Sequence, residues 1–225
     1  TPAEPEKLIA VAKGTTVKCI LITHTHQDHL LGFEAIRSAF KALVGVHPTE
    51  ASNLPSPPDF HLLDGDTVTI GTVALKVMHT PGHTPGSLCF HTAKHLFSGD
   101  TLFPGGPGRT RTPKDLKQIL GSISSKLLAL PEGTVVYPGH GNNTTIGDAQ
   151  LAYSIFASRT HPDDLCGDEA DFSRAAAEVQ DGLAGLHPAR RVAAAVILLD
   201  DLGRDDAEQV AVVFHRAAQG GLGRV

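Results

Sequence analysis

Four side chains able to hold a metal or move a proton, His24, His26, Asp28 and His29, stand within six residues in the stretch ILITHTHQDHLLG, Ile20 to Gly32. With 13 histidines and 16 aspartates in 225 residues, about 0.003 matches to H-x-H-x-D-H arise by chance in a chain of this length. The cluster therefore calls for a ligand. In an extended chain, residues two apart point to the same side, so His24 and His26 can set two imidazoles against one ion. Asp28 and His29 follow where the chain turns toward a helix, and can be offered to a second ion about 3.5 to 4 Å from the first.

A closed ligand set needs more donors, and three sit in glycine-bearing stretches that follow apolar runs: His83 in HTPGHTPGS, Asp100 in LFSGD and His140 in VVYPGHG. In each, an apolar strand stops, glycine lets the backbone turn tightly, and one His or Asp is presented at the sheet's edge. Two cations sharing a water bring its pKa toward neutrality and polarise a carbonyl, which is the chemistry of metal-assisted hydrolysis.

Taken together, THTHQDH, TPGHTPGS, SGDTLFPGGPGRT and YPGHGNNTTIG, in that order, give a sequence that resembles the metallo-β-lactamase fold hydrolases from about Leu8 to Phe156. Within that superfamily it is most similar to the short bacterial type II glyoxalases, the hydroxyacylglutathione hydrolases. The resemblance implies that His24, His26 and His83 hold one metal, that Asp28, His29 and His140 hold the other, and that Asp100 bridges them. Zinc suits such a set of imidazoles and carboxylates first, and iron or manganese also fit. The expected reaction is attack of a metal-bridging hydroxide on a thioester carbonyl, with Asp28 both ligating and orienting that hydroxide. Arg109 and Arg111 are candidate partners for a substrate carboxylate through their forked guanidinium groups. Three alternatives stay open: a persulfide dioxygenase, a relative that uses one iron at positions drawn from His24, His26, His83 and Asp100; a lactonase; and a catalytically inactive metal-binding module.

The elements that must position these residues follow from periodicity. Glu4 to Lys13 reads as a short helix and Val17 to Thr23 as a strand buried on both faces. Asp28 to Leu43 has helical spacing, and Val44 to Val46 reads as a short strand. Thr67 to Ile70 and Val73 to His79 alternate around Gly71-Thr72 as a hairpin, and Ser87 to His91 with Lys94 to Ser98 make a second strand pair. Thr112 as N-cap and Pro113 at the first position open a helix that runs to Ala129. Thr134 to Tyr137 is a further strand and Ala149 to Ser158 a helix. Beyond it, Phe172 to Leu186 and Asp205 to Ala218 are Ala-rich helical patterns, while Val192 to Leu199 suits either a strand or a buried helix.

The fold class expected is α/β, a four-layer αββα metallo-β-lactamase-like sandwich short of its family's N-terminal strands, with Val192 to Leu199 available to cover the bare edge. Residues 1–158 form the expected catalytic domain and 159–225 a mainly helical extension. With no initiator Met, the sequence reads as starting inside a longer chain. The other eight histidines, His47, His61, His79, His91, His95, His161, His187 and His215, are read as structural or solvated. So are the glycines of GGPGRT, which lack the spacing of a phosphate loop.

The balance of 19 basic against 24 acidic residues, net −5, supplies no basic stripe for nucleic acid. The stretch TPAEPEKLIAVAKG, with its acidic residues and two prolines, does not read as a secretion signal, and no apolar run in the sequence approaches membrane-spanning length. Three cysteines, Cys19, Cys89 and Cys166, far apart and without C-x-x-C, speak against a disulfide framework. The expectation is a cytoplasmic enzyme acting on a small-molecule thioester, with no nucleic-acid or membrane partner and no oligomeric state assigned.

Overall fold

Alternation along single strands sets the layering. In β1 (Val17–Ile22), Cys19 and Leu21 face one way and Ile20 and Ile22 the other, and all four are buried. A strand apolar on both faces has to lie between two layers. The computed structural model, which describes residues 4–167 and 195–199, shows which layers these are.

On one side of β1, α1 (Pro5–Val11) and α2 (Phe33–Phe40) bring Leu8, Phe33 and Ile36 against Ile20, Ile22, Val44 and Val46. On the other side a second sheet contributes Leu75, Val77, Leu88, Phe90 and Phe97 to a core shared with Cys19 and Leu21. The first sheet has the order β12-β1-β2-β3, with β2 (Leu43–Val46), β3 (Phe60–His61) and β12 (Ala195–Leu199). β1, β2 and β3 run parallel, and β12 pairs antiparallel with β1, from Val17 opposite Leu199 to Ile22 opposite Ala195. Of the strand and the buried helix left open for Val192 to Leu199, the strand is found, at Ala195–Leu199, on that edge.

The second sheet contains β4 (Thr67–Ile70), β5 (Val73–His79), β6 (Leu88–Thr92), β7 (His95–Gly99), β10 (Val135–Pro138) and β11 (Thr144–Thr145), in the order β11-β10-β7-β6-β5-β4. A two-stranded piece, β8 (Leu102–Phe103) with β9 (Gly106–Pro107), stands apart from both sheets. The outer face of the second sheet, with Met78, Cys89, Leu96 and Val136, packs on Leu116, Ile119 and Ile123 of α3 (Pro113–Ser122) and its continuation, and on Ile146 and Ala149 of α4 (Ile146–Ala157). The molecule is thus the αββα sandwich of the sequence reading.

The differences are local. The helical spacing from Asp28 resolves into a 3-10 turn at Gln27–His29 and a helix that starts only at Phe33. α3 starts as expected, with the Thr112 hydroxyl accepting from Asp115 N at 3.2 Å, but it widens into a π turn at Ile123–Leu127 and does not run on to Ala129. α4 begins three residues before Ala149, because Thr145 supplies the cap by accepting from Asp148 N at 3.1 Å. The expected helices Phe172 to Leu186 and Asp205 to Ala218 lie outside the described residues.

Candidate metal centre

Three strands end at one rim. β1 runs into Thr23 and His24, β7 into Asp100, and β10 into Gly139 and His140. β7 and β10 are neighbours with Gly99 opposite Pro138, so Asp100 and His140 emerge side by side. The loop between β5 and β6 brings His83 from the same sheet, and Leu88 N donates to Thr23 O at 2.9 Å, stitching the two sheets together at this rim. Gly99 adopts a left-handed φ of 49°, and a Cβ there would press on the Thr23 side chain at 2.8 Å. Glycine is required at that corner.

All seven residues singled out in the sequence meet here. The ligand atoms of His24, His26 and His83 lie within 4.8 Å of one another, as do those of Asp28, His29 and His140, and those of His24, His29 and Asp100. Asp100 stands between the groups: its Oδ2 is 3.6 Å from His83 Nε2, 3.4 Å from His140 Nε2 and 4.0 Å from His24 Nε2, and its Oδ1 is 3.3 Å from His29 Nε2. His140 Nε2 is also 3.1 Å from Asp28 Oδ2.

The protonation pattern shows whether these donors suit a cation. Burial, above all, lowers the pKa of His24, His26 and His83 from the ordinary histidine value, so their rings are neutral near pH 7. His83 Nδ1 lies 2.8 Å from the Arg109 carbonyl, which can only accept, so Nδ1 carries the proton and Nε2 presents a lone pair. That Nε2 faces His26 Nδ1 at 2.9 Å, and His29 Nε2 faces His140 Nε2 at 3.0 Å. His24 Nε2 is buried with no hydrogen-bond partner among the described residues. Burial alone would raise the Asp100 carboxyl, but the contacts from His140 and His29 outweigh it and hold it well below the usual carboxylate range. Neutral imidazole lone pairs converging on a buried carboxylate form a donor set that divalent cations satisfy.

A cavity of about 300 Å³ opens beside this rim, lined by His83, Asp100, Phe103, Pro104, Pro107 and Arg109 among others. The Phe103 ring lies parallel to His140, with centroids 6.5 Å apart. Both arginines considered from sequence are exposed; Arg109 lines the cavity and Arg111 is not part of its lining. The sequence reading passed over the wall formed by Phe103, Pro104 and Pro107, because the strands that present it are only two residues long. It also passed over Glu50, a buried acid in a polar stretch with no motif around it.

Two His/Asp clusters sharing Asp100, at the rim of an αββα sandwich, define a metal-dependent hydrolase frame with a binuclear centre. The chain belongs to the Metallo-beta-lactamase superfamily, which it matches over residues 1–140. It is 37% identical over 167 residues to the probable hydroxyacylglutathione hydrolase glo2 of Schizosaccharomyces pombe, a match covering 70% of this chain and 62% of that protein. Among solved structures, the BLEG-1 B3 metallo-beta-lactamase superposes with a TM-score of 0.60 at 35% identity, over 66% of this chain and 81% of that one. TTHA1623, solved in a di-iron-bound form, gives 0.55 at 33% identity over 65% and 82%. No helix among the described residues is long and apolar enough to cross a membrane.

Proposed function

We propose that the chain hydrolyses a thioester of the hydroxyacylglutathione kind, with His24, His26 and His83 holding one divalent metal, Asp28, His29 and His140 a second, and Asp100 both. The observation that carries this reading is the convergence of His24, His29, His83 and His140 on Asp100, with His26 and Asp28 grouped beside them. Zinc is the first choice and iron or manganese the others, since the donors are imidazole and carboxylate. When bound, such a pair of cations supplies acidity to a water and polarises the carbonyl under attack.

The chain's own groups do the rest. Asp28, less enclosed than Asp100 and 3.1 Å from His140, orients the attacking water and accepts its proton at a carboxylate oxygen. Attack forms a C–O bond, the C–S bond breaks, and the products are a carboxylate and a thiol. Phe103, Pro104 and Pro107 give the cavity an apolar wall, while Arg109 offers a cation to a substrate carboxylate. The intact Asp28, His29 and His140 cluster favours hydrolysis over a mononuclear iron oxygenase. Free Cys19, Cys89 and Cys166 suit a reducing cytosol. In this reading, 1–158 is the catalytic unit and 159–225 an appended region.

The test is a panel of thioesters, lactones and persulfides assayed on protein of measured metal content. Thioester cleavage without oxygen uptake is expected. Oxygen consumption with a persulfide, or lactone cleavage alone, would refute the thioester assignment.

A further inference from the structure

Glu50 lies in the turn Pro48–Asn53, away from every metal donor in sequence, and is only 2% exposed. A carboxylate that deep is costly unless its oxygens are fully engaged. Its Oε2 accepts from Thr25 N at 3.1 Å and from the Thr25 hydroxyl, and its Oε1 accepts from Gly86 N at 3.0 Å. Thr25 stands between His24 and His26, and Gly86 is three residues past His83. One side chain thus ties together the two loops that supply the three-histidine group. None of its hydrogen bonds reaches the backbone around Asp28, His29 or His140.

The neighbourhood is built around that tie. Asn53 Nδ2 donates to Thr25 Oγ1 at 3.1 Å, which leaves the hydroxyl proton for Glu50. A Cβ on Gly86 would run into Thr49 Oγ1 and Glu50 Cγ, so the loop backbone sits directly on the glutamate stem. Within that loop, Thr84 N donates to Ser87 Oγ at 3.1 Å, keeping the segment after His83 stiff.

We infer that Glu50 is a positioning residue that fixes the spacing of His24 and His26 against His83, and so sets the affinity of the three-histidine site selectively. The inference rests on the metal reading given above. Three donors converge on two oxygens, so Glu50→Gln must turn an NH₂ toward one of them and release one loop. Outer-shell changes of this kind cost about 10- to 100-fold in metal affinity.

The experiment is chelator-competed zinc titration of the full chain in two single-site backgrounds. His140→Ala leaves the three-histidine site, and His83→Ala leaves the other. Adding E50Q is expected to weaken zinc about 10- to 100-fold in the first background and less than about threefold in the second. Asp59→Asn, which breaks a comparable tie from Asp59 to Val44 N at 2.8 Å and to Arg37 at 3.1 Å, should lower thermal stability without moving either affinity. Unchanged zinc affinity in the first background, equal losses in both, or the same loss from D59N would overturn the inference. Should E50Q not fold, Thr25→Val removes the hydroxyl donor alone and must still weaken the three-histidine site; native affinity there overturns the inference equally. A native chain that takes up no zinc refutes the metal reading and this inference with it. A native chain binding two zinc ions, with E50Q unaltered, refutes this inference only.

Discussion

Gly139 offers a clean way to disturb the centre without touching a donor. Its φ is not in the left-handed region, so alanine carries no backbone penalty there. A Cβ at this position would overlap Asp100 Oδ1 and stand 2.6 Å from His29 Cε1. Carbon atoms in contact settle at about 3.5 to 4.0 Å, so the ring and the carboxylate must give way by about 1 Å. Both are buried against neighbours, and such overpacking costs about 1–3 kcal/mol. A displacement of about 1 Å at reacting groups costs on the order of 100-fold in rate. Gly139→Ala is therefore expected to fold, to unfold at a somewhat lower temperature, and to lose about 100-fold in kcat together with part of its metal. Gly121→Ala is the control: on α3 a Cβ meets open space, and alanine there should add about 0.5–1 kcal/mol of stability with native activity. Thioester turnover, metal content by mass spectrometry and thermal melts of the metal-free proteins read all three effects. Native kcat with full metal content in G139A would refute the close approach on which this reasoning depends.

Asp28→Ala should abolish turnover and lower metal content, and retention of both in a turnover and metal assay would remove Asp28 from the mechanism. Arg109→Ala should raise KM about 10- to 100-fold for a carboxylate-bearing thioester with kcat little changed, since a charged hydrogen bond contributes about 1.5–3 kcal/mol; Arg111→Ala should leave both constants unaltered. Burial holds His24, His26, His47, His83 and His91 below the ordinary histidine pKa of 6.5. For groups whose folded pKa is lowered, the unfolded chain binds more protons below 6.5, so their stability is complete above that pH and is lost as pH falls below it. Denaturant midpoints of the metal-free protein should therefore fall on acidification below that value, and bound metal should be released over the same range; a pH-independent midpoint would contradict the burial of these rings.

Much of the centre could be read from sequence because its donors are encoded in local patterns. Alternate residues of an extended segment share a side, which pairs His24 with His26. A strand followed by glycine and a single donor recurs at Asp100 and His140, and parallel pairing of β7 with β10 brings those two together. The hairpin of β4 and β5 and the cap of α3 were legible for the same reason, since alternation and Thr-Pro at a helix start act within a few residues. What escaped depends on distant contacts. The segment after Asp28 has helical spacing, yet the cluster holds it in a 3-10 turn, with His29 N donating to His26 O at 3.0 Å. Glu50 is one glutamate in a Pro- and Ser-rich stretch, and nothing near it signals that its carboxylate closes on loops 25 and 36 residues away. Cys19 and Cys89 are buried in the core and Cys166 is half-buried.

Anomalous diffraction from crystals grown with zinc would count and locate the cations. Two ions per chain are expected, one among His24, His26 and His83, the other among Asp28, His29 and His140, with Asp100 against both. A single ion, or ions bound away from Asp100, would contradict the binuclear centre.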